Sequence, residues 1–544
     1  MKLFNYSIII LLFFVSIKSY CNVNYNNDET LINVDSVDFS EIFTEITDDS
    51  GENEHKVSSV KIDSRKQLLN HKVDSILNRY NLNYTKYSIS VFSINSNSYY
   101  IEKNADEFLK PASVTKLLTT YSLLKLLPDT TILRTYLYTE DSDLSDGIIN
   151  GNLFVRGVGD PTIELSDLDN LTEKLISLGI KKIEGKIIGD GNLYDKIGNR
   201  FYYSGDADEV EPVAPISALS LNDDKITVFV NTKVNGNNPK IQITPNSNHF
   251  IINNNTKLLA STKRRSGRLY SHSKLNDNGT QSVYLSGKIY KNSSYGVQDF
   301  NLNPPLSFAS SLKQRLISNG IIVLGTIETI KTNVKIEYSK LNPVAEIGTP
   351  LMEIIDDMNK NSVNYVAENL YNMVGSLAQK DSVTTLSARK LEDSLMRNLA
   401  KNSTQLKKEI GEFKVYDGSG LSRRNKFSSR MICELLHDVS ESNFFNSFIN
   451  SLSVCGTDGT LLKRMKQTNA QMNLKAKTGT HRDVSGLAGY VNDLDGNTYA
   501  FCFFFNGPSV GTYKMIENEL GQVIADFTVT RNEKQEISKD NNEK

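Results

Sequence analysis

Three short motifs, widely spaced along the 544-residue chain, constrain its fold more than any other feature. The first, SVTK, starts at Ser113 and opens a predicted helix just after Pro111, a residue that the first turn of a helix tolerates well. The second, SVN, starts at Ser362 at the beginning of another predicted helix. The third, KTG, starts at Lys477 at the end of a predicted strand. If the motifs act together, the fold has to bring two helix starts and one strand end into a single pocket.

The first motif has the spacing of a nucleophile and its base. Residues three apart lie on the same face of a helix, so Lys116 can reach the hydroxyl of Ser113. A serine hydroxyl is a poor nucleophile until a base takes its proton. A lysine can be that base only if its pKa falls, which burial and a nearby positive charge both cause, and Lys477 is the candidate neighbour. The backbone N–H groups of Ser113 and Thr480 are candidates to stabilise the resulting oxyanion.

The second and third motifs carry groups suited to holding a peptide. Ser362 can pass a proton to a leaving amine, and Asn364 can hold a substrate amide. Thr478 can bind a terminal carboxylate while Lys477 supplies positive charge, and Gly479 would let a substrate backbone lie close to the strand edge. SxxK and SxN also occur elsewhere in the chain by chance, whereas KTG occurs once. The order, spacing and context of the motifs together predict acyl transfer by a serine nucleophile.

In this arrangement the chain resembles the penicillin-recognising serine enzymes, which include DD-peptidases and serine β-lactamases. The long gap from Lys116 to Ser362 resembles the class C low-molecular-mass penicillin-binding proteins, the D-alanyl-D-alanine carboxypeptidase/endopeptidase group, whose members carry two accessory domains in that gap. Val363 stands where this group commonly has Asp, and the similarity runs from about residue 65 to 528. Further segments that resemble the group are 157–161, 218–222, 417–422, 456–461 and 484–490.

The resemblance implies an α+β fold. Its DD-peptidase/β-lactamase-like transpeptidase core would be an antiparallel sheet flanked by helices, with β-rich accessory domains inserted. The predicted organisation is a signal peptide at 1–21, a poorly ordered acidic linker at 22–60, a catalytic domain at 61–135 and 340–528, an insertion at 136–339 with a separate β-rich subdomain at 222–290, and a charged tail at 529–544.

The resemblance also implies an activity. Ser113 would attack the D-Ala-D-Ala carbonyl of peptidoglycan stem peptides, or a related cross-link, and the acyl-enzyme would then be hydrolysed. β-Lactam antibiotics should acylate the same serine. Two alternatives are a serine β-lactamase and a non-catalytic peptidoglycan-binding protein on the same fold. The motifs themselves leave the choice between carboxypeptidase and endopeptidase action open.

Composition excludes several other classes of protein. The formal net charge is −2, without the basic excess of a nucleic-acid binder. The six His are scattered, no CxxC occurs, and the predicted chemistry needs neither a metal nor an organic cofactor. His481, near the third motif, is expected at the rim of the site.

The N-terminus predicts secretion. Lys2 precedes an apolar run at 8–15, which is too short for a comfortable membrane span and is typical of a signal peptide. We therefore expect a periplasmic or otherwise extracytoplasmic protein without a stable membrane span after signal removal. Two alternatives are an uncleaved membrane anchor and lipidation of Cys21. The bulky Tyr20 argues against lipidation, because lipoprotein processing favours a small residue before the cysteine.

Overall fold

A computed structural model describes residues 55–195, 198–205, 211–233, 238–260, 267–331, 334–379, 383–402 and 410–529, with side chains from residue 64 onward except at 401, 402 and 410. The predicted signal peptide, the linker up to residue 54 and the tail from residue 530 lie outside these residues. The described residues from 61 onward form one compact unit. None of the described helices combines the length and apolar character needed to cross a bilayer.

The described chain contains both α-helices and β-strands. The α-helices are α1 His55–Asn78, α2 Lys116–Leu126, α3 Leu165–Ser177, α4 Arg200–Ser204, α5 Pro304–Ser318, α6 Leu351–Lys360, α7 Asn364–Ala378, α8 Thr384–Asn402, α9 Ser429–Glu441, α10 Phe445–Asn450 and α11 Val510–Ala525. The strands are β1 Lys86–Ser93, β2 Ser98–Lys103, β3 Ile132–Thr139, β4 Ile148–Ile149, β5 Leu153–Arg156, β6 Lys182–Ile183, β7 Ile187–Asp190, β8 Lys225–Asn231, β9 Lys240–Thr244, β10 Phe250–Asn254, β11 Lys257–Leu259, β12 Arg268–Leu275, β13 Gln281–Tyr290, β14 Ser294–Phe300, β15 Ile322–Val323, β16 Ile327–Thr329, β17 Asn342–Pro350, β18 Ser453–Val454, β19 Lys475–His481, β20 Val484–Asn492 and β21 Thr498–Asn506.

The central element is a six-stranded antiparallel sheet in the order β18-β19-β20-β21-β1-β2. Its strand β21 is apolar on both faces because the sheet is covered on both. Phe501 and Phe503 pack with Ile516 of α11 in one core, while Phe504 packs with Leu117 of α2 in the other. This sheet between helices confirms the predicted α+β transpeptidase-like core.

The region between the first two motifs builds further sheets. A five-stranded mixed sheet has the order β16-β7-β5-β3-β17, and a three-stranded parallel sheet has the order β15-β6-β4. Both contribute to one core with α3 and α5. The expected boundary between residues 135 and 136 lies inside β3, which pairs with β17 along its length. The domain boundaries stay a prediction.

A β-rich part occupies the middle of this region. Strand β8 pairs with β9 and β14, while β13 pairs with β12 on one edge and with β10 and then β11 on the other. The two sheets enclose a core that includes Val228 and Leu285.

Candidate active site

Ser113 lies in a short 3₁₀ turn, Ala112–Thr115, that leads directly into α2. The predicted helix therefore starts as a tighter turn, and its α-helical part begins at Lys116. Residues three apart still meet, because the Nζ atom of Lys116 lies 3.0 Å from Ser113 Oγ. The nucleophile and base expected from the first motif are thus in contact.

Lys116 is fully buried and surrounded by oxygen atoms. Besides Ser113, its Nζ contacts Asn364 Oδ1 at 2.8 Å and the carbonyl oxygen of Ser419 at 2.8 Å. Asn364 opens α7, which packs against α2. The first and second motifs therefore meet at this lysine, and the loop at 417–422 completes its surroundings.

The two lysines of the motifs have altered pKa values. Burial lowers the pKa of Lys116 to about 8, although the negative charges of Glu368, Asp417 and Glu211 act in the opposite direction. Burial, and then the positive charge of Lys116, hold the pKa of Lys477 well below its ordinary value. The amine of Lys116 can therefore lose its proton near neutral pH, as a general base requires.

Ser362 precedes α7 by two residues and is half-buried. Its φ of 60° lies in the left-handed region, which costs a non-glycine residue energy. Asn364 also donates from Nδ2 to Glu211 Oε2 at 2.7 Å. Both the oxygen and the nitrogen of the Asn364 side chain therefore have a hydrogen-bond partner, and the oxygen faces Lys116.

The third motif lies on β19, beside the turn that carries Ser113. Within the described residues, β18 pairs only with Lys475 and Ala476 of β19, so no neighbouring strand covers this edge from Lys477 onward. The Lys477 Nζ atom donates to the carbonyl of Thr478 at 3.2 Å, and the side chain of Thr480 is exposed. Among the described residues, the backbone of the motif is therefore not paired with a strand on this side.

Gly479 explains how β19 comes so close to the nucleophile. A Cβ atom at this position would lie 2.5 Å from the carbonyl oxygen of Pro111 and 3.2 Å from the backbone nitrogen of Val114. The backbone that lies close to Gly479 is therefore that of the turn carrying Ser113, whereas the sequence had suggested the backbone of a substrate. On the same strand, the Oγ1 atom of Thr478 bonds Oγ1 of Thr460 at 2.9 Å.

The loop at 417–422 lies against the same turn from another side. Gly420 has a φ of 82°, and a Cβ atom there would lie 1.9 Å from the carbonyl oxygen of Ala112. His481 is buried and its Nε2 lies 2.9 Å from the carbonyl oxygen of Gly420. His481 therefore supports this loop from a buried position. The expectation that it lies at the rim of the site is wrong.

Buried charged side chains support the loop at 417–422. Glu368 accepts hydrogen bonds from the hydroxyl of Tyr203 at 2.6 Å and from the backbone nitrogen of Ser419 at 2.9 Å. Asp417 pairs with Arg200 at 3.1 Å, and both side chains are buried. Burial and the charge of Asp417 raise the pKa of Glu368 to about 7.

Sequence reasoning missed several of these residues. Glu368 is detectable, because it is the one charged residue of the helix Asn364–Ala378 and stands four residues after Asn364, so it faces the same way. Arg200 and Glu211 belong to the region between the first two motifs, and no local pattern connects them to the site. Among the described residues, no group of three or more His, Cys, Asp or Glu could hold a metal ion.

Comparisons with known proteins show the family of the chain. The model of the D-Ala-D-Ala carboxypeptidase 3 (S13) family matches residues 69–526. A D-alanyl-D-alanine carboxypeptidase of Actinomadura sp. (strain R39) is 24% identical over 438 residues, which cover 78% of each chain. The D-alanyl-D-alanine carboxypeptidase DacB of Haemophilus influenzae is 24% identical over 425 residues, 77% of this chain and 85% of that one.

A solved structure shows the same fold. Penicillin binding protein 4 (dacB) from Haemophilus influenzae superposes with a TM-score of 0.65 at 20% identity, covering 84% of this chain and 99% of that one. The predictions of a transpeptidase-like fold and of a serine DD-peptidase are confirmed, and the chain belongs to the D-Ala-D-Ala carboxypeptidase 3 (S13) family.

Proposed function

We propose that Ser113 is the nucleophile with which this protein removes the terminal D-Ala from peptidoglycan stem peptides. The observation that carries the proposal is the 3.0 Å separation between Ser113 Oγ and the buried amine of Lys116. With a pKa of about 8, a substantial minority of Lys116 is uncharged at neutral pH. That amine supplies the base that a serine needs.

In the acylation step, the Ser113 oxygen attacks the carbonyl carbon between the two D-Ala residues while Lys116 takes the hydroxyl proton. The backbone N–H groups of Ser113 and Thr480 stabilise the oxyanion that forms on the carbonyl oxygen. Ser362 passes its hydroxyl proton to the amine of the departing D-Ala as the C–N bond breaks, and the protonated Lys116 replaces that proton, so Lys116 is neutral again for the second step. The product is an ester between Ser113 and the shortened peptide.

Substrate is held by the other motif residues. Asn364 binds the peptide amide through its side chain, and Thr478 binds the terminal carboxylate beside the amine of Lys477. Gly479 keeps β19 close enough to the Ser113 turn for one peptide to contact both. In the second step, a water molecule attacks the ester carbon and gives a proton to Lys116, which returns it to Ser113 as the alcohol leaves.

β-Lactams test the nucleophile directly. One solved structure of penicillin binding protein 4 from Haemophilus influenzae is described as a complex with a novel β-lactam, and it covers 82% of this chain. We expect a labelled penicillin to attach once per molecule of this protein. Attachment should disappear in Ser113→Ala and persist in Ser58→Ala, which alters another SxxK sequence. Labelled Ser113→Ala protein would overturn the assignment.

Mass spectrometry of muropeptides tests the substrate. Loss of one D-Ala from pentapeptide-bearing monomers supports the proposed carboxypeptidase reaction, whereas conversion of cross-linked dimers to monomers indicates endopeptidase action. Rapid turnover of a chromogenic cephalosporin without D-Ala release would favour the β-lactamase alternative. Binding of muropeptides without any cleavage would favour the non-catalytic alternative.

Secretion is part of the proposal. The run at 8–15 and the small residues after it support export through a signal peptide cleaved near residue 21, which places the enzyme beside its polymer. The intact mass of the protein isolated from the cell envelope should lack this segment. A full-length mass would favour the uncleaved anchor.

A further inference from the structure

The β-rich part of the chain has an unusual charge. The segment 225–298 contains eleven Lys and Arg residues but a single acidic residue, Asp277. The chain as a whole has a net charge of −2, so the rest of the chain is acidic. A positive region of this kind on an otherwise acidic protein attracts an anionic partner.

Part of this charge is displayed on one face of a sheet. Along β13, Val283, Leu285 and Ile289 point into the core, so Tyr284 and Lys288 point outward. The sheet is therefore covered on its inner side and exposed on its outer side. None of the four strands β10, β11, β12 and β13 contains an Asp or a Glu.

Three cations lie side by side across this outer face. Lys288 of β13 is directly opposite Arg268 of β12 on one edge and directly opposite Lys257 of β11 on the other. All three are exposed, and within the described residues none of them forms an ion pair. Like charges directly opposite each other destabilise a sheet, so the free protein tolerates repulsion at this row.

Two tyrosines stand next to this row. Tyr270 is 51% exposed and is paired with Ser286. This pair is the next one on the same face of the sheet after the pair of Arg268 and Lys288. Tyr284 follows it on the same face and is 38% exposed. A tyrosine offers a flat apolar ring and a hydroxyl together, which suits a partner that carries both sugar rings and polar groups.

We propose that this face binds the carboxylate-bearing peptidoglycan polymer on which the Ser113 site acts. The inference rests on the proposed function, because that site selects the same polymer. Carboxylates of the stem peptides relieve the repulsion among Arg268, Lys288 and Lys257 through charge-assisted hydrogen bonds. The neighbouring Tyr270 and Ser286 are polar, which fits a hydrated polymer better than a lipid surface.

Lys288→Glu is the decisive variant. It places a carboxylate between Arg268 and Lys257, so the net charge of the row falls from +3 to +1 and the repulsion between direct neighbours becomes attraction. Retention on purified insoluble peptidoglycan at low salt should fall about tenfold, consistent with the loss of several exposed ion pairs. The melting temperature of the free protein should rise. This opposite response of binding and stability distinguishes a binding role from a purely structural one.

Controls separate the possible outcomes. Lys240→Glu makes the same charge change at an exposed position of β9, on the other sheet, and should leave retention within twofold of wild type. Release of D-Ala from a soluble pentapeptide should be unchanged in both variants. If the wild type fails to release D-Ala, the proposed function is wrong whatever the retention. If it releases D-Ala but Lys288→Glu is retained like wild type, or if only vesicles of anionic lipid bind this face, the inference is overturned.

Discussion

Lys116 and Asn364, which are 248 positions apart in the sequence, are joined by a 2.8 Å hydrogen bond from Nζ to Oδ1. A second contact of Nζ, to the carbonyl of Ser419, also involves an oxygen that can only accept. A neutral lysine amine has two N–H donors and one lone pair. Because the two acceptors use both donors, the lone pair is left for the hydroxyl proton of Ser113. The surroundings thus orient the amine as a base.

The rate at which Ser113 is acylated should depend on pH. Lys116 acts when it is uncharged, and its pKa is about 8, so the acylation rate should rise as pH increases through 8 and level off above it. The second-order rate of labelling by a fluorescent penicillin, measured from pH 6 to pH 10, checks this. Lys116→Arg keeps a positive charge but cannot act as the base, and we expect its rate to fall at least a thousandfold at every pH. A flat profile in the wild type would contradict the role of Lys116.

Glu211 should affect the pH at which the acylation rate rises. Its carboxylate raises the pKa of Lys116 and accepts a hydrogen bond from Asn364. Glu211→Gln removes the charge and keeps a hydrogen-bonding group, so the rise in acylation rate should move to lower pH. The same penicillin assay measures the shift. Glu184→Gln, another variant in the region between the first two motifs, should leave the profile in place, and an unmoved profile in Glu211→Gln would show that Glu211 does not act on the base.

Glu368 should support the loop rather than react. In Glu368→Ala, the hydroxyl of Tyr203 and the backbone N–H of Ser419 lose their acceptor in a buried place, which costs about 3 kcal/mol of stability. Because the carbonyl of Ser419 contacts Lys116, acylation should slow as well. Glu368→Gln retains an acceptor for Ser419 and a hydrogen bond to Tyr203, so it should recover most of both properties. Thermal unfolding and the penicillin assay measure them. Equal losses in the two variants would show that the charge matters more than the hydrogen bonds.

The sequence predicts the contact at the centre of the site because its geometry is local. Ser113 and Lys116 are one helical turn apart, and the strand around Lys477 and the helix after Ser362 have clear periodic patterns. The predicted helix after Ser362 is present as Asn364–Ala378, and the predicted strand of the third motif is present as Lys475–His481.

The features that the sequence does not predict are contacts between segments that are far apart in the chain. Glu211 reaches Asn364 across 153 positions, and Arg200 reaches Asp417 across 217. Neither contact follows from local periodicity, because the course of the chain between the motifs decides both. The helix at Ser429–Glu441 was also missed, although the side chain of Ser428 caps it by accepting a hydrogen bond from the backbone N–H of Met431.

Gly479 should be intolerant of a methyl group. In Gly479→Ala, the new Cβ would lie 2.5 Å from the carbonyl oxygen of Pro111, a backbone atom that can move only with the Ser113 turn. A displacement of the nucleophile by a fraction of an ångström to one ångström lowers rates about a hundredfold. We expect that loss in penicillin acylation, with a smaller effect on melting temperature. Gly511→Ala, where no atom lies within 4 Å of the new Cβ, should behave as wild type. Unimpaired acylation in Gly479→Ala would refute the packing argument.

His249 should make the β-rich part sensitive to acid. Burial lowers its pKa from 6.5 to about 4, and within the described residues neither ring nitrogen has a hydrogen-bond partner. The folded state therefore keeps the ring neutral while the unfolded state takes up a proton, so stability present above pH 6.5 is lost as pH falls toward 4. At pH 5 the loss from this group is about 2 kcal/mol. His249→Phe keeps an aromatic ring next to Phe250 and removes the titration. Its melting temperature should therefore fall less between pH 7 and pH 5 than that of the wild type, and equal falls would show that His249 is already protonated or exposed in the folded protein.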